Sequence, residues 1–226
     1  MSKAMAIYAG RLFGERALGL ALFLLASGGV LGVRATAWFV AYFAAIASGL
    51  WLYHTSADTL ERRADIAATK DVTPVWDKVI LALFWLLAYF VVYYVAGATA
   101  DTNMPIDVQF ICAIVIYAAS TALTAWALQT NVYAESVSRV QSERDQQVCS
   151  SGPYAYVRHP MYTAIIMWCV AIVGVFPTRG VALVSLAVAA LIVTRTLLED
   201  NMLAEGLPGY EAYRQTVRWR LIPHLW

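Results

Sequence analysis

Apolar residues along this chain gather into long, nearly uninterrupted runs instead of the short alternations or one-sided stripes of a water-soluble fold. A helix that crosses the hydrocarbon core of a bilayer needs about 20 mostly apolar residues, within a range of about 17 to 25. Four runs meet that length: Ala17 to Val33, Thr36 to Tyr53, Val79 to Ala98 and Val108 to Leu128. Two shorter runs, Met161 to Phe176 and Val181 to Thr194, are joined by Pro177-Thr178-Arg179-Gly180. Together they predict a helical hairpin that crosses and returns. The pattern is that of an all-α, polytopic membrane helix bundle of about six spans, with the hairpin in its C-terminal part.

The polar positions test that count. Lys and Arg collect near the cytoplasmic ends of spans, and six crossings with both termini cytoplasmic leave only Arg34 and Arg179 on the far side out of 16 basic residues. Removing one span scrambles the bias. The first run lacks an obvious small-residue cleavage site and reads as a membrane anchor. The segment from His54 to Lys78 mixes both charge signs and reads as a connector with an amphipathic helix at the membrane surface. Gly28 and Gly32, four residues apart, predict close helix packing. The chain divides into N-terminal membrane helices, 1–128, and a polar-rich region, 129–226, whose candidate site faces the cytoplasm.

Composition agrees and excludes other classes. With 61% hydrophobic and 14% charged residues the chain is far from a soluble globule. A formal net charge of +1 supplies no field to collect nucleic acid. Cys112, Cys149 and Cys169 show neither disulfide nor metal-like spacing, so no metal is expected. Cys112 and Cys169 read as buried thiols, and Cys149 as a loop residue.

Chemically capable residues concentrate in two segments that the hairpin brings to one membrane face. The first reads Ser151-Gly152-Pro153-Tyr154-Ala155-Tyr156-Val157-Arg158-His159-Pro160-Met161-Tyr162. Gly-Pro makes a turn and Pro160 opens a helix, which puts Arg158 and His159 at a helix N-terminus suited to an anion. Snorkelling of Arg158 to lipid headgroups is the ordinary alternative. The second segment begins Arg195-Thr196-Leu197-Leu198-Glu199-Asp200, with Arg195 and Glu199 one turn apart. It continues through Tyr210 and Tyr213 to Arg218-Trp219-Arg220-Leu221-Ile222-Pro223. Charges abutting a span are costly and mark functional candidates. The aromatic residues suit either an interfacial belt or the wall of a pocket for a purine and a sulfonium. Dinucleotide, metalloprotease, serine-hydrolase and phosphate-loop motifs are missing from the sequence.

Gly152-Pro153-Tyr154, Arg158-His159-Pro160-x-Tyr162, Arg195-x-x-x-Glu199-Asp200-x-x-Leu203, Tyr210-x-x-Tyr213 and the closing Arg-Leu-Ile-Pro resemble the isoprenylcysteine carboxyl methyltransferase family, within a wider membrane group that includes phospholipid N-methyltransferases. The specific likeness runs from about Asn131 onward. Weaker likeness reaches Glu61-Arg62-Arg63 and Trp76-Asp77-Lys78. The resemblance implies a helical membrane enzyme that binds S-adenosyl-L-methionine and acts on a lipophilic or prenylated substrate among membrane lipids. It implies cofactor contacts at Tyr154, Tyr156, Arg158, His159, Pro160, Tyr162, Glu199, Asp200, Tyr210 and Tyr213, and catalytic roles for Arg195, Glu199 and Arg218. Asp200 stands where the family has the second acid of a Glu pair, and Thr163 where glycine is frequent. Arg195 and Arg218 would orient a carboxylate acceptor; Glu199 or His159 would deprotonate an amine. Phospholipid N-methylation, nicotinamide-dependent reduction and a non-enzymatic scaffold or transporter are the rival readings.

Overall fold

The computed structural model describes residues 3–64 and 73–226, with side chains described for 6–52 and 73–226. The described residues form seven helices, short 3-10 turns aside: α1 (Lys3–Ala26), α2 (Val33–Ala64), α3 (Val75–Thr99), α4 (Val108–Thr130), α5 (Pro160–Val175), α6 (Arg179–Gly206) and the short α7 (Tyr210–Thr216). No strand occurs among the described residues. Four helices are long and apolar enough to cross a membrane, at Val33–Leu52, Val75–Thr99, Val108–Thr130 and Arg179–Gly206, and α5 is a shorter apolar helix. This is an integral membrane bundle. The charged residues of α1, Arg11, Glu15 and Arg16, lie along a helix that packs against α2 and α3.

Local chemistry fixes the helix ends. Asp107 caps α4 by accepting from Phe110 N–H at 2.8 Å, and Thr178 caps α6 by accepting from Val181 N–H at 3.2 Å. Pro160 occupies the first turn of α5, where its missing N–H costs nothing. The first apolar run does not continue as helix to Val33, because Gly28 and Gly29 take φ of +66° and +84° and Gly29 N–H closes on Leu24 C=O at 2.8 Å. Gly28 is therefore part of a helix-ending turn with open space around it, while a Cβ on Gly32 would meet the Thr102 carbonyl. Of these two glycines, Gly32 alone serves close packing. α2 runs past Tyr53 to Ala64, and 65–72 of the expected surface connector, with the side chains of Glu61-Arg62-Arg63, lie outside the described residues.

The connections alternate between two ends. At one, Arg34 at the start of α2 pairs with Asp107 at 3.3 Å and donates to Gly174 C=O at 3.0 Å, and the Thr99 and Thr178 hydroxyls meet at 2.9 Å. The opposite end carries the 131–159 segment and the C-terminal tail. Between them sits an aromatic core in which Trp38 stacks on Tyr42, Phe39 packs on Tyr93 and Phe23 on Phe176. Within α3 a π-helical stretch, Leu86–Val91, widens the helix and brings Ala88 and Tyr89 to the wall of a cavity.

Candidate active site

Helix α6 continues three turns beyond its apolar run, and those turns organise the site. Asp200 is fully buried and saturated. Arg158 grips it with a two-pronged contact, Nε to Oδ1 at 2.8 Å and Nη2 to Oδ2 at 3.0 Å. Tyr210 donates to Oδ1 at 3.0 Å, Arg220 to Oδ2 at 3.1 Å, and the His159 ring nitrogen stands 3.4 Å away. Arg158 spends its remaining nitrogen on the carbonyls of Val217 and Arg218, at 2.7 and 2.9 Å. The Arg158 and His159 N–H groups donate to Trp219 and Arg220 C=O, which pins the tail beside the entry to α5. Asp200 and Arg158 thus hold α6, α7, the tail and the α5 entry together.

One turn earlier, Arg195 is directed at α3. Its guanidinium pairs with buried Asp77 at 2.8 Å, donates to Ser136 C=O at 2.9 Å and Ser138 Oγ at 3.2 Å, and lies 5.3 Å from the centre of the Tyr162 ring. Glu199 accepts from both the Ser138 and Tyr162 hydroxyls, and its second oxygen is 3.8 Å from His159 Nδ1. Arg195 and Glu199 therefore communicate through Ser138 and Tyr162 instead of pairing directly. The His159 and Tyr162 rings stack with 5° between their planes.

Tyr210 and Tyr213 of α7 meet edge to face, and the Tyr213 hydroxyl donates to Tyr154 C=O at 2.7 Å. Burial first, then the neighbouring Asp200 charge, raises the Tyr210 phenol above its ordinary range. Burial raises Tyr213 likewise. Both remain neutral O–H donors at physiological pH. Gly152, with φ of +55°, makes the turn before Tyr154, where a Cβ would collide with Thr130. The Thr163 hydroxyl binds the tail at Leu221 C=O, 2.7 Å, a contact glycine could not make.

These groups surround a cavity of about 410 Å³. Of the residues expected at the site, Tyr154, Arg158, His159, Pro160, Tyr162, Arg195, Glu199, Tyr210 and Tyr213 line it. Three do not: Asp200 lies behind the wall, Tyr156 is 64% exposed, and Arg218 is exposed on the tail. Asp77, Ser138 and Arg220 were not among the expected site residues. Asp77 and Arg220 fall in patterns already noted, Trp76-Asp77-Lys78 and Arg-Leu-Ile-Pro, but Ser138 sits in irregular chain with no local signal. From this polar end the cavity extends between α1, α2, α3 and α4, past Leu52, Phe84 and Trp168 to Arg16 and Tyr42.

Residues 111–205 match the isoprenylcysteine carboxyl methyltransferase (ICMT) family. The matched stretch contains Tyr154, Arg158, His159, Pro160, Tyr162, Arg195, Glu199 and Asp200. A comparison with curated proteins gives no match.

Proposed function

We propose that this chain is a membrane methyltransferase that uses S-adenosyl-methionine and esterifies the carboxylate of a prenylated cysteine or a similar lipophilic acceptor. The observation that carries the proposal is one continuous cavity. Its polar end is built largely from the family-matched segment, and its body runs among apolar helices where a lipophilic acceptor is at home.

The residues present fit the cofactor. A volume of about 410 Å³ lies within the range of about 300–1,000 Å³ common to small-molecule sites. The wall offers tyrosine faces for a purine or a sulfonium, the amides of Gln146 and Gln147, and the partly exposed carboxylate of Glu199 for cationic or hydroxyl groups. Tyr154, His159, Tyr162, Glu199, Tyr210 and Tyr213 would hold the group. When bound, it supplies an electrophilic methyl on cationic sulfur. The chain aligns the acceptor, excludes water and balances charge, which is what an in-line displacement asks of a protein. A carboxylate acceptor is already ionised at neutral pH and needs no base.

Calorimetry of S-adenosyl-methionine and S-adenosyl-homocysteine against the detergent-purified chain tests this reading. Micromolar binding weakened at least tenfold by Glu199→Gln is expected; no binding to folded protein overturns it. The contact between Glu199 and His159 favours a second reading, N-methylation with one of them as base. That reading requires transfer to phosphatidylethanolamine and none to farnesylated cysteine.

A further inference from the structure

The cavity wall holds four arginines, and three already have carboxylate partners. Arg158 is bound by Asp200, Arg195 by Asp77, and Arg139 by Glu135 and Glu143. The fourth is Arg16 on α1. Its Nε donates to Tyr42 C=O at 2.8 Å, Nη1 donates to Leu12 C=O at 2.9 Å, and the guanidinium lies 4.8 Å from the centre of the Tyr42 ring. Adjacent Glu15 is bound to Arg11 at 2.8 Å. Among the described residues, no carboxylate lies within ion-pair distance of Arg16. A permanently charged guanidinium is therefore fixed at the cavity wall by two carbonyls, and the neighbouring Glu15 carboxylate acts on it only at longer range. A charged group retained among apolar helices is costly and marks a functional candidate.

We propose that Arg16 binds the carboxylate of the methyl acceptor and selects acidic lipophiles over their neutral counterparts. This rests on the methyltransferase reading and assigns a residue to its carboxylate acceptor, against the amine of the second reading. Arg195 and Arg218, which sequence patterns put forward for this task, are respectively bound to Asp77 and exposed away from the cavity. Arg16 donates back to Leu12 C=O, one turn earlier on α1, which leaves its second terminal nitrogen for a ligand, and it lines the same cavity as Glu199 and Tyr162. In the transfer, one carboxylate oxygen bonds the methyl carbon as the carbon–sulfur bond breaks, and its electron pair stays on sulfur. A neutral ester and a neutral thioether result, and no proton moves. Esterification removes the charge that Arg16 holds, so the product leaves more readily than the acceptor.

The test is calorimetric titration of the full chain in detergent with N-acetyl-S-farnesyl-cysteine and hexadecanoate, each beside its methyl ester. Wild type should bind the acids at least tenfold more tightly than the esters. Arg16→Gln should abolish that preference and Arg16→Lys should retain part of it, with S-adenosyl-homocysteine affinity unchanged in both. Equal affinity for acid and ester in wild type, failure of both acids to bind, or a preference that survives Arg16→Gln overturns the proposal. Should Arg16→Gln not fold, the wild-type comparison and Arg16→Lys still decide. Loss of S-adenosyl-homocysteine binding in wild type would instead sink the methyltransferase reading while leaving the acid-ester comparison to judge Arg16.

Discussion

At the scale of single residues, Asp200 and Glu199 divide two tasks between adjacent acids. Asp200 is buried against two arginines and a tyrosine, so its carboxylate is committed to architecture. Asp200→Asn strands Arg158 and Arg220 without their counter-charge, and removing one partner of a buried pair costs about 3–5 kcal/mol. Thermal unfolding in detergent should show a large fall in midpoint, with Glu199→Gln leaving the midpoint much less changed. Tyr210 keeps its proton because burial and Asp200 both raise its phenol. Cofactor affinity in wild type and Tyr210→Phe should consequently run parallel between pH 7 and 9; a wild-type decline missing in the variant would contradict a protonated Tyr210. The family resemblance grouped these residues but did not imply this division. Motif spacing puts Arg158, Glu199 and Asp200 near one another, whereas which acid faces the cavity depends on the turn of α6 and on tail residues folded back upon it.

At the scale of helices, long apolar runs were legible because the bilayer demands them. α4 starts where the pattern places it, and α5 begins and ends within one residue of its run. The misses have physical causes. Helix α1 begins at Lys3, ahead of its apolar run, because a helix can carry Arg11, Glu15 and Arg16 where an apolar pattern does not, and the run was carried too far because glycines at positive φ are apolar in pattern yet end helices. The apolar run of α6 stops at Thr194, and the helical spacing read for Arg195 and Glu199 holds as the helix continues to Gly206. Close approach between elements is concentrated at particular glycines: a Cβ on Gly97 of α3 would lie 2.3 Å from the Phe23 carbonyl of α1. Gly97→Val should therefore destabilise the protein by about 1–3 kcal/mol through overpacking. Gly10→Ala, with nothing within 4 Å, should be neutral or slightly stabilising in the same assay.

At the scale of the molecule, the alternating connections put Arg34 and Arg179 at the end opposite the cavity mouth, which agrees with the charge bias along the chain. The charge bias predicts a cytoplasmic mouth, and on that orientation membrane-impermeant maleimide should label Cys149 in inside-out vesicles and spare it in right-side-out ones. Cys112, exposed on the side of α4, should stay protected by lipid in both. Reaction of Cys149 from the outside would reverse the orientation. The Asp200 cluster has a consequence for synthesis. Its Arg158 precedes Asp200 in the chain, whereas Tyr210 and Arg220 follow α6, so the acid gains its last two donors only once the tail has been made. A chain interrupted before Arg220 should therefore lack the Arg220 contact to Asp200 and close its site less firmly, which a lower unfolding midpoint in detergent would show.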